Sequence, residues 1–179
     1  MTETPERAQT PFLYVVVCAA GIASDVGTLI TAAEERNWQV GVIATPLAMG
    51  FFDTDAVETR TGRPIRSAWR KPGDPRPFPA PDAVLVAPAT FNTVNKWAAG
   101  IADTLALGTL CEAYGLGVPI AVLPCVGDAL AAHPAYRASV ERLRGMGVRF
   151  ADPYAGEGQQ GDGRPEFGWE RGLELLATP

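Results

Sequence analysis

Thr90, Asn92, Thr93 and Asn95 fall together in the stretch APATFNTVNKWAAGIADTLAL, directly after the apolar run AVLVA. A core helix would spend leucines at such positions. Hydroxyls and amides donate and accept hydrogen bonds at once, so their clustering points to a polar ligand. Three other turns have a similar makeup: AAGIASD after FLYVVVC, TPLAM after VGVIA, and PCVGD after PIAVL. Gly21 and Ala23 allow close backbone approach, and Ser24, Thr45 and Thr90 offer hydroxyls. Backbone N–H groups at a helix start, with the helix dipole behind them, hold an anion such as a phosphate. Each hydroxyl taken singly could equally be a helix cap. None of these turns carries GxGxxG or GxxxxGK[ST], so neither a dinucleotide fingerprint nor a P-loop is expected there.

Two other side chains near these turns could do chemistry. Cys125 follows the fourth apolar run and is either a reactive thiol or a small packed residue. Asp128 could accept a hydrogen bond from a ligand amine or cap the next helix. The three cysteines, Cys18, Cys111 and Cys125, are scattered and lack CxxC spacing, which fits neither a disulfide framework nor a zinc site. A single histidine, His133, excludes a His-rich metal centre, and it reads as structural.

The elements that must position these residues are legible in the apolar pattern. Residues 12–18, 39–45, 82–88 and 117–124 are short apolar runs of the kind that form strands buried on both faces, and VRFADP is a shorter last one. Helical periodicity covers about 22–36, 90–114 with an interruption near Gly100, 127–147, and WERGLELLA near the end. A short helix is expected over 46–53, since Pro46 suits a first turn. Residues 54–81, with five prolines from Pro72 onward, are expected to be irregular. Residues 1–11 and 155–168 read as flexible segments. Alternation of strands and helices predicts one α/β domain over 1–179, a mainly parallel sheet with helices on both faces. Ligands of such sheets sit at the carboxyl ends of the strands, where the four turns lie.

Composition narrows the partners. The chain of 179 residues carries a formal net charge of −5, which argues against nucleic acid or an anionic membrane as a target. The polar start MTETPERAQTP is no signal peptide, and a cytoplasmic location is expected. One local exception stands out. RTGRPIRSAWRKPGDPR holds six of the fifteen Lys and Arg residues, either as a solvated loop or as one that meets an anionic ligand.

The stretch from Pro88 closely resembles the PAS/T-x-NT segment of the homo-oligomeric flavin-containing cysteine decarboxylases, which include phosphopantothenoylcysteine and lantibiotic peptidyl-cysteine decarboxylases. The matching positions are Pro88, Ala89, Thr90, Asn92 and Thr93, then Lys96, Gly100, Ile101, Asp103 and Leu105. VVVCAAGIASDVG, VIATPLAMGFF and LPCVGDALAAHPAYRASVERLRGMGV resemble other segments of that family. The resemblance implies a flavodoxin-like fold holding FMN between subunits of a trimer. It places Gly21, Ile22, Ala23, Ser24 and Thr45 around the phosphate, Phe51 beside them, and Thr90, Asn92 and Thr93 at the flavin and ribityl chain.

Two family features are missing. The family histidine upstream of the PAS motif corresponds here to a position near Asp74, and no histidine lies in that loop. The family segment P-x-M-N-x-x-M-W reads PCVGDALA, with only its proline kept. The resemblance therefore implies an FMN-dependent enzyme acting on a small, thiol-bearing or peptide substrate, its chemistry diverged from oxidative cysteine decarboxylation. Asp74, Cys125 and Asp128 are the candidate catalytic residues. The alternatives are a non-catalytic flavin-binding or regulatory subunit and a prenyl-FMN synthase-like transferase.

Overall fold

Strand β1 (Phe12–Val17) is an interior strand, with a parallel neighbour on each side. The computed structural model describes residues 10–151 and 167–177. Strand β2 (Gln39–Ala44) pairs with β1 in the register Phe12↔Gln39 to Val17↔Ala44. Strand β3 (Ala83–Ala89) pairs on the other side, followed by β4 (Ile120–Pro124) and the two-residue β5 (Arg149–Phe150). The strand order is β2-β1-β3-β4-β5, all parallel. This is the flavodoxin-like order, in which the direction of winding reverses between β1 and β3.

Every residue of β3 and β4 is buried, as strands covered on both faces require. One face is covered by α3 (Phe91–Ala98), α4 (Leu105–Gly115) and α6 (Pro134–Gly145), with Phe78 packed among them. The other carries α1 (Val26–Glu35), α2 (Thr54–Thr61) and α7 (Trp169–Ala177). A four-residue helix, α5 (Asp128–Ala131), precedes α6. In α1 the buried residues Val26, Leu29, Ile30 and Ala33 repeat at helical spacing and form one stripe. Helix α7 comes close to the sheet through Gly172, where an added Cβ would lie 2.6 Å from Leu85 and 3.2 Å from Leu123.

Several expectations need correction. Residues 54–81 are not wholly irregular, because α2 occupies their first eight residues. Its sequence TDAVETRT is polar and buries only Val57, so it shows no apolar period. It is defined instead by its ends. The Asp53 carboxylate accepts from Ala56 N–H at 2.9 Å, and Gly62 closes it at φ 65°. The expected helices starting at 22 and 46 begin, respectively, as and entirely as 3-10 turns, Gly21–Asp25 and Pro46–Gly50. The helix from 127 divides at His133-Pro134, and the strand from 117 starts at Ile120. Strand β3 runs through Pro88 to Ala89, with an irregular register between Val86 and Ala89 where proline offers no N–H. The expected flexible segments 1–11 and 155–168 and the end of the fifth run fall largely outside the described residues. Among the described residues no helix is long and apolar enough to cross a membrane.

Candidate functional site

The four turns come together because the sheet aligns them. Thr45 N–H donates to Val17 O at 2.9 Å, Cys18 N–H to Pro88 O at 3.1 Å, and Cys125 N–H to Ala89 O at 2.8 Å. These bonds set Thr45, Cys18, Thr90 and Cys125 in one row along the carboxyl edge. The reversal of winding opens a crevice between the ends of β1 and β3, flanked by the Gly21–Asp25 turn and the start of α3.

The turns share one further property. Helices α2, α4 and α6 are each capped by a side chain: Asp53, Thr104 and His133. The elements that directly follow strands, at Gly21, Pro46, Phe91 and Asp128, have no side-chain cap. The residues in the cap positions are Ala20, Thr45, Thr90 and Gly127. Thr45 and Thr90 are thus not spent as caps, although their residue types allow it. The first N–H groups of a helix have no partner within it, so this edge leaves donors for a ligand.

Thr90 is half-buried and its hydroxyl lies 3.2 Å from that of buried Thr93. Both hydrogen-bond the thiol of Cys18 beneath them; burial nevertheless pushes that thiol up from its ordinary pKa. Asn92 is exposed on the first turn of α3. Three residues on, Asn95 carries a buried Oδ1 with no hydrogen-bond partner. An orphaned buried acceptor costs about 1–3 kcal/mol, which a donor on a ligand would recover. Asn95 stands in the opening cluster of the sequence, and its signal is this missing partner.

On the β1 side, Gly21 is exposed, Ile22 half-buried and Ala23 buried. A Cβ on Gly21 would meet nothing within 4 Å, so the turn faces open space. The Ser24 hydroxyl lies 3.3 Å from Gly21 O and 3.0 Å from Asp25 Oδ1, which engages it inside its own turn. Phe51, beyond the Pro46–Gly50 turn, is 43% exposed. At β4, Cys125 is half-buried and burial raises its thiol pKa. Asp128 opens α5 and is exposed, while the cap position itself is Gly127.

Asp74 is placed differently. Its carboxylate accepts from Lys71 N–H at 2.9 Å, its own N–H donates to Lys71 O at 3.1 Å, and Arg70 Nη1 donates to its carbonyl at 2.6 Å. These bonds close a tight turn, and no described hydrogen bond or ion pair joins Asp74 to the strand-end row. His133 is structural, its Nδ1 accepting from Ala135 N–H at 3.1 Å at the head of α6.

The edge fits a phosphorylated, polar cofactor such as a flavin mononucleotide: uncapped turns and hydroxyls unspent as caps supply donors, Gly21 faces open space, and the Asn95 amide oxygen is an unused acceptor. Comparison with known proteins agrees. The family model described as Flavoprotein matches residues 2–164. A coenzyme A biosynthesis bifunctional protein CoaBC from Thermococcus kodakarensis is 37% identical over 78 residues, which is 44% of this chain and 19% of that protein. The chain covers 19% to 38% of the length of the first curated relatives it matches. Two solved structures share the fold. The cypemycin decarboxylase CypD aligns with a TM-score of 0.72 at 22% identity, over 96% of this chain and 94% of that one. The FMN-dependent cysteine decarboxylase SpaF aligns with a TM-score of 0.68 at 24% identity, over 94% and 97%.

Proposed function

Because the chain belongs to the Flavoprotein family, we propose that it binds FMN in the β1–β3 crevice and serves as a flavin-dependent enzyme on a small or peptide substrate bearing a thiol. The observation that carries this reading is the contrast in capping. Side chains close the starts of α2, α4 and α6, while every element following strands β1 to β4 starts open. FMN, when bound, supplies the redox chemistry that amino-acid side chains lack.

The chain's own residues bind and orient. N–H groups of the Gly21 turn and the Thr45 hydroxyl hold the phosphate end. Thr90 and Asn92 meet the polar chain, and Thr93, locked against Thr90 and Cys18, sets their position. Burial raises the Cys125 thiol above its ordinary pKa, and the residue borders the substrate. Asp128, exposed at the start of α5, is the candidate acceptor for a substrate amine. Asp74 is engaged in its turn and gets no proton-transfer role. With no family histidine near Asp74 and PCVGDALA in place of the substrate segment, the reaction differs from oxidative decarboxylation of a cysteine. The same two departures favour a second reading, a flavin-binding subunit without catalysis.

The visible spectrum of the purified protein, with identification of the chromophore released by acid, tests the cofactor. A colourless protein that FMN cannot reconstitute overturns the reading. For a yellow protein, anaerobic mixing with cysteine-ended peptides and with phosphopantothenoylcysteine separates the two readings. Turnover or bleaching with any thiol supports an enzyme, and inertness to a broader thiol panel supports the binding subunit. Assembly as a trimer belongs to the same reading and is checked by light scattering.

A further inference from the structure

The basic segment singled out in the sequence folds back over α4 and borders an open cavity of about 470 Å³, within the size range of small-molecule sites. It is formed by the loop from Arg66 to Pro81, by Tyr14 of β1 and by one side of α4, none of which belongs to the strand-end row. Its charge is one-sided. Arg66, Arg70, Lys71 and Arg76 line it, against the single carboxylate of Glu112, in a chain whose net charge is −5. Arg70 is partly engaged by the Asp74 carbonyl. Arg66 is half-buried and, among the described residues, has no carboxylate within ion-pair distance; its guanidinium lies 6.0 Å from the Phe78 ring centroid. Burial and neighbouring Arg70 both lower its pKa. A partly buried guanidinium with no carboxylate beside it among the described residues leaves its donors open to an anion.

The cavity also has a planar apolar wall. Trp69 is 59% exposed yet held in place, because its ring rests on the backbone of Gly108, where an added Cβ would overlap it. The Tyr14 ring sits edge-on to Phe78 at 5.7 Å between centroids, and its hydroxyl donates to Pro79 O at 2.6 Å, which pins the loop. Arginines offer forked donors that match a phosphate or carboxylate, and an exposed indole offers a flat face on which a ring can stack.

We propose that the cavity between the 66–81 loop and α4 is a second small-molecule site, which takes a planar ligand bearing a phosphate or carboxylate, with Arg66 and Arg76 on the oxyanion and Trp69 on the ring. It goes beyond the flavin reading and does not depend on it. The probes are phenyl phosphate and benzoate, with phenol as the uncharged control, added to the protein as purified and again with saturating FMN. Saturable heat by calorimetry is expected for at least one anion, with quenching of tryptophan emission, and none for phenol. Phosphate or carboxylate as the favoured headgroup is given by which anion binds tighter. Arg76→Gln lies on an exposed loop and keeps the fold; it should weaken binding about tenfold, the worth of a charged hydrogen bond. Arg66→Gln should do the same if it folds. Trp69→Phe should remove the quenching while heat is still released. No saturable heat at millimolar probe, an unchanged Kd in Arg76→Gln, or binding that disappears once FMN saturates the protein would each overturn the proposal. A colourless protein that still binds phenyl phosphate would overturn the flavin reading alone.

Discussion

The indole of Trp69 and the backbone of Gly108 are in direct contact, and the contact exists only because position 108 carries no Cβ. One residue lies in an irregular loop and the other in the first turns of α4. Glycine inside a helix costs about 1 kcal/mol relative to alanine, so the position trades helix stability for a seat for the ring.

Gly108→Ala should therefore separate two effects. The added methyl displaces Trp69, which shifts its emission to longer wavelength and weakens anion binding in the cavity. Helix propensity improves by about 1 kcal/mol, so the urea midpoint stays level or rises. A fall in stability of more than about 1 kcal/mol would show that the overlap is relieved by moving α4 and not the ring.

The open turns along the carboxyl edge make a prediction about the phosphate. A ligand present at a hundred times its Kd stabilises by about 2.7 kcal/mol, which for this chain length raises Tm by about 5–11 °C. FMN should give a shift of that kind, and riboflavin, which lacks the phosphate, a clearly smaller one at equal concentration. Equal shifts from both in differential scanning fluorimetry would remove the phosphate from those turns.

Thr90 and Thr93 hydrogen-bond one another and the Cys18 thiol. Thr90→Val keeps the shape and deletes one hydroxyl. Flavin affinity should fall by about tenfold, the worth of one good hydrogen bond, with a modest fall in Tm of the cofactor-free protein because Thr93 loses its partner. Thr93→Val, buried under the same turn, should cost stability as well as affinity. Flavin titration and thermal melts of both variants distinguish the ligand role from the packing role.

Burial raises the thiol pKa of Cys125. The thiolate is the nucleophile, so a raised pKa leaves less of it at any pH below that value. Alkylation of Cys125 by iodoacetamide, followed by peptide mass mapping, should lag that of a free cysteine at pH 8 and approach it as the pH climbs. Rapid labelling at pH 7 would show an activated thiol and return Cys125 to the candidate nucleophiles.

What the chain states openly and what it conceals follow from the range of the forces involved. Strands such as FLYVVVC and AVLVAPA announce themselves because burial on both faces demands consecutive apolar residues. The PATFNT segment is equally local, and it marked the edge at which the turns converge. Helix α2 was hidden because one buried valine makes no period. Thr45 and Thr90 were ambiguous because cap and ligand use the same hydroxyl, and only the fold shows that neither caps. The cavity was beyond local reading altogether, since Trp69 and Gly108 meet only in three dimensions. The loop's charge was visible, but not that Arg66 ends half-buried with no carboxylate beside it among the described residues.

Helix α7 carries a consequence for how the molecule is made. Gly172 seats that helix directly on Leu85 and Leu123, and Trp169 and Leu173 are buried with it. Strands β3 and β4 leave the ribosome well before the segment that covers them. During that interval the part of the sheet that α7 covers is open aliphatic surface, the kind that nascent-chain chaperones hold and that unprotected chains use to aggregate. A bulky residue at position 172 would prolong that exposure, so its harm should show first as lost soluble yield during expression and only second as a lower melting point.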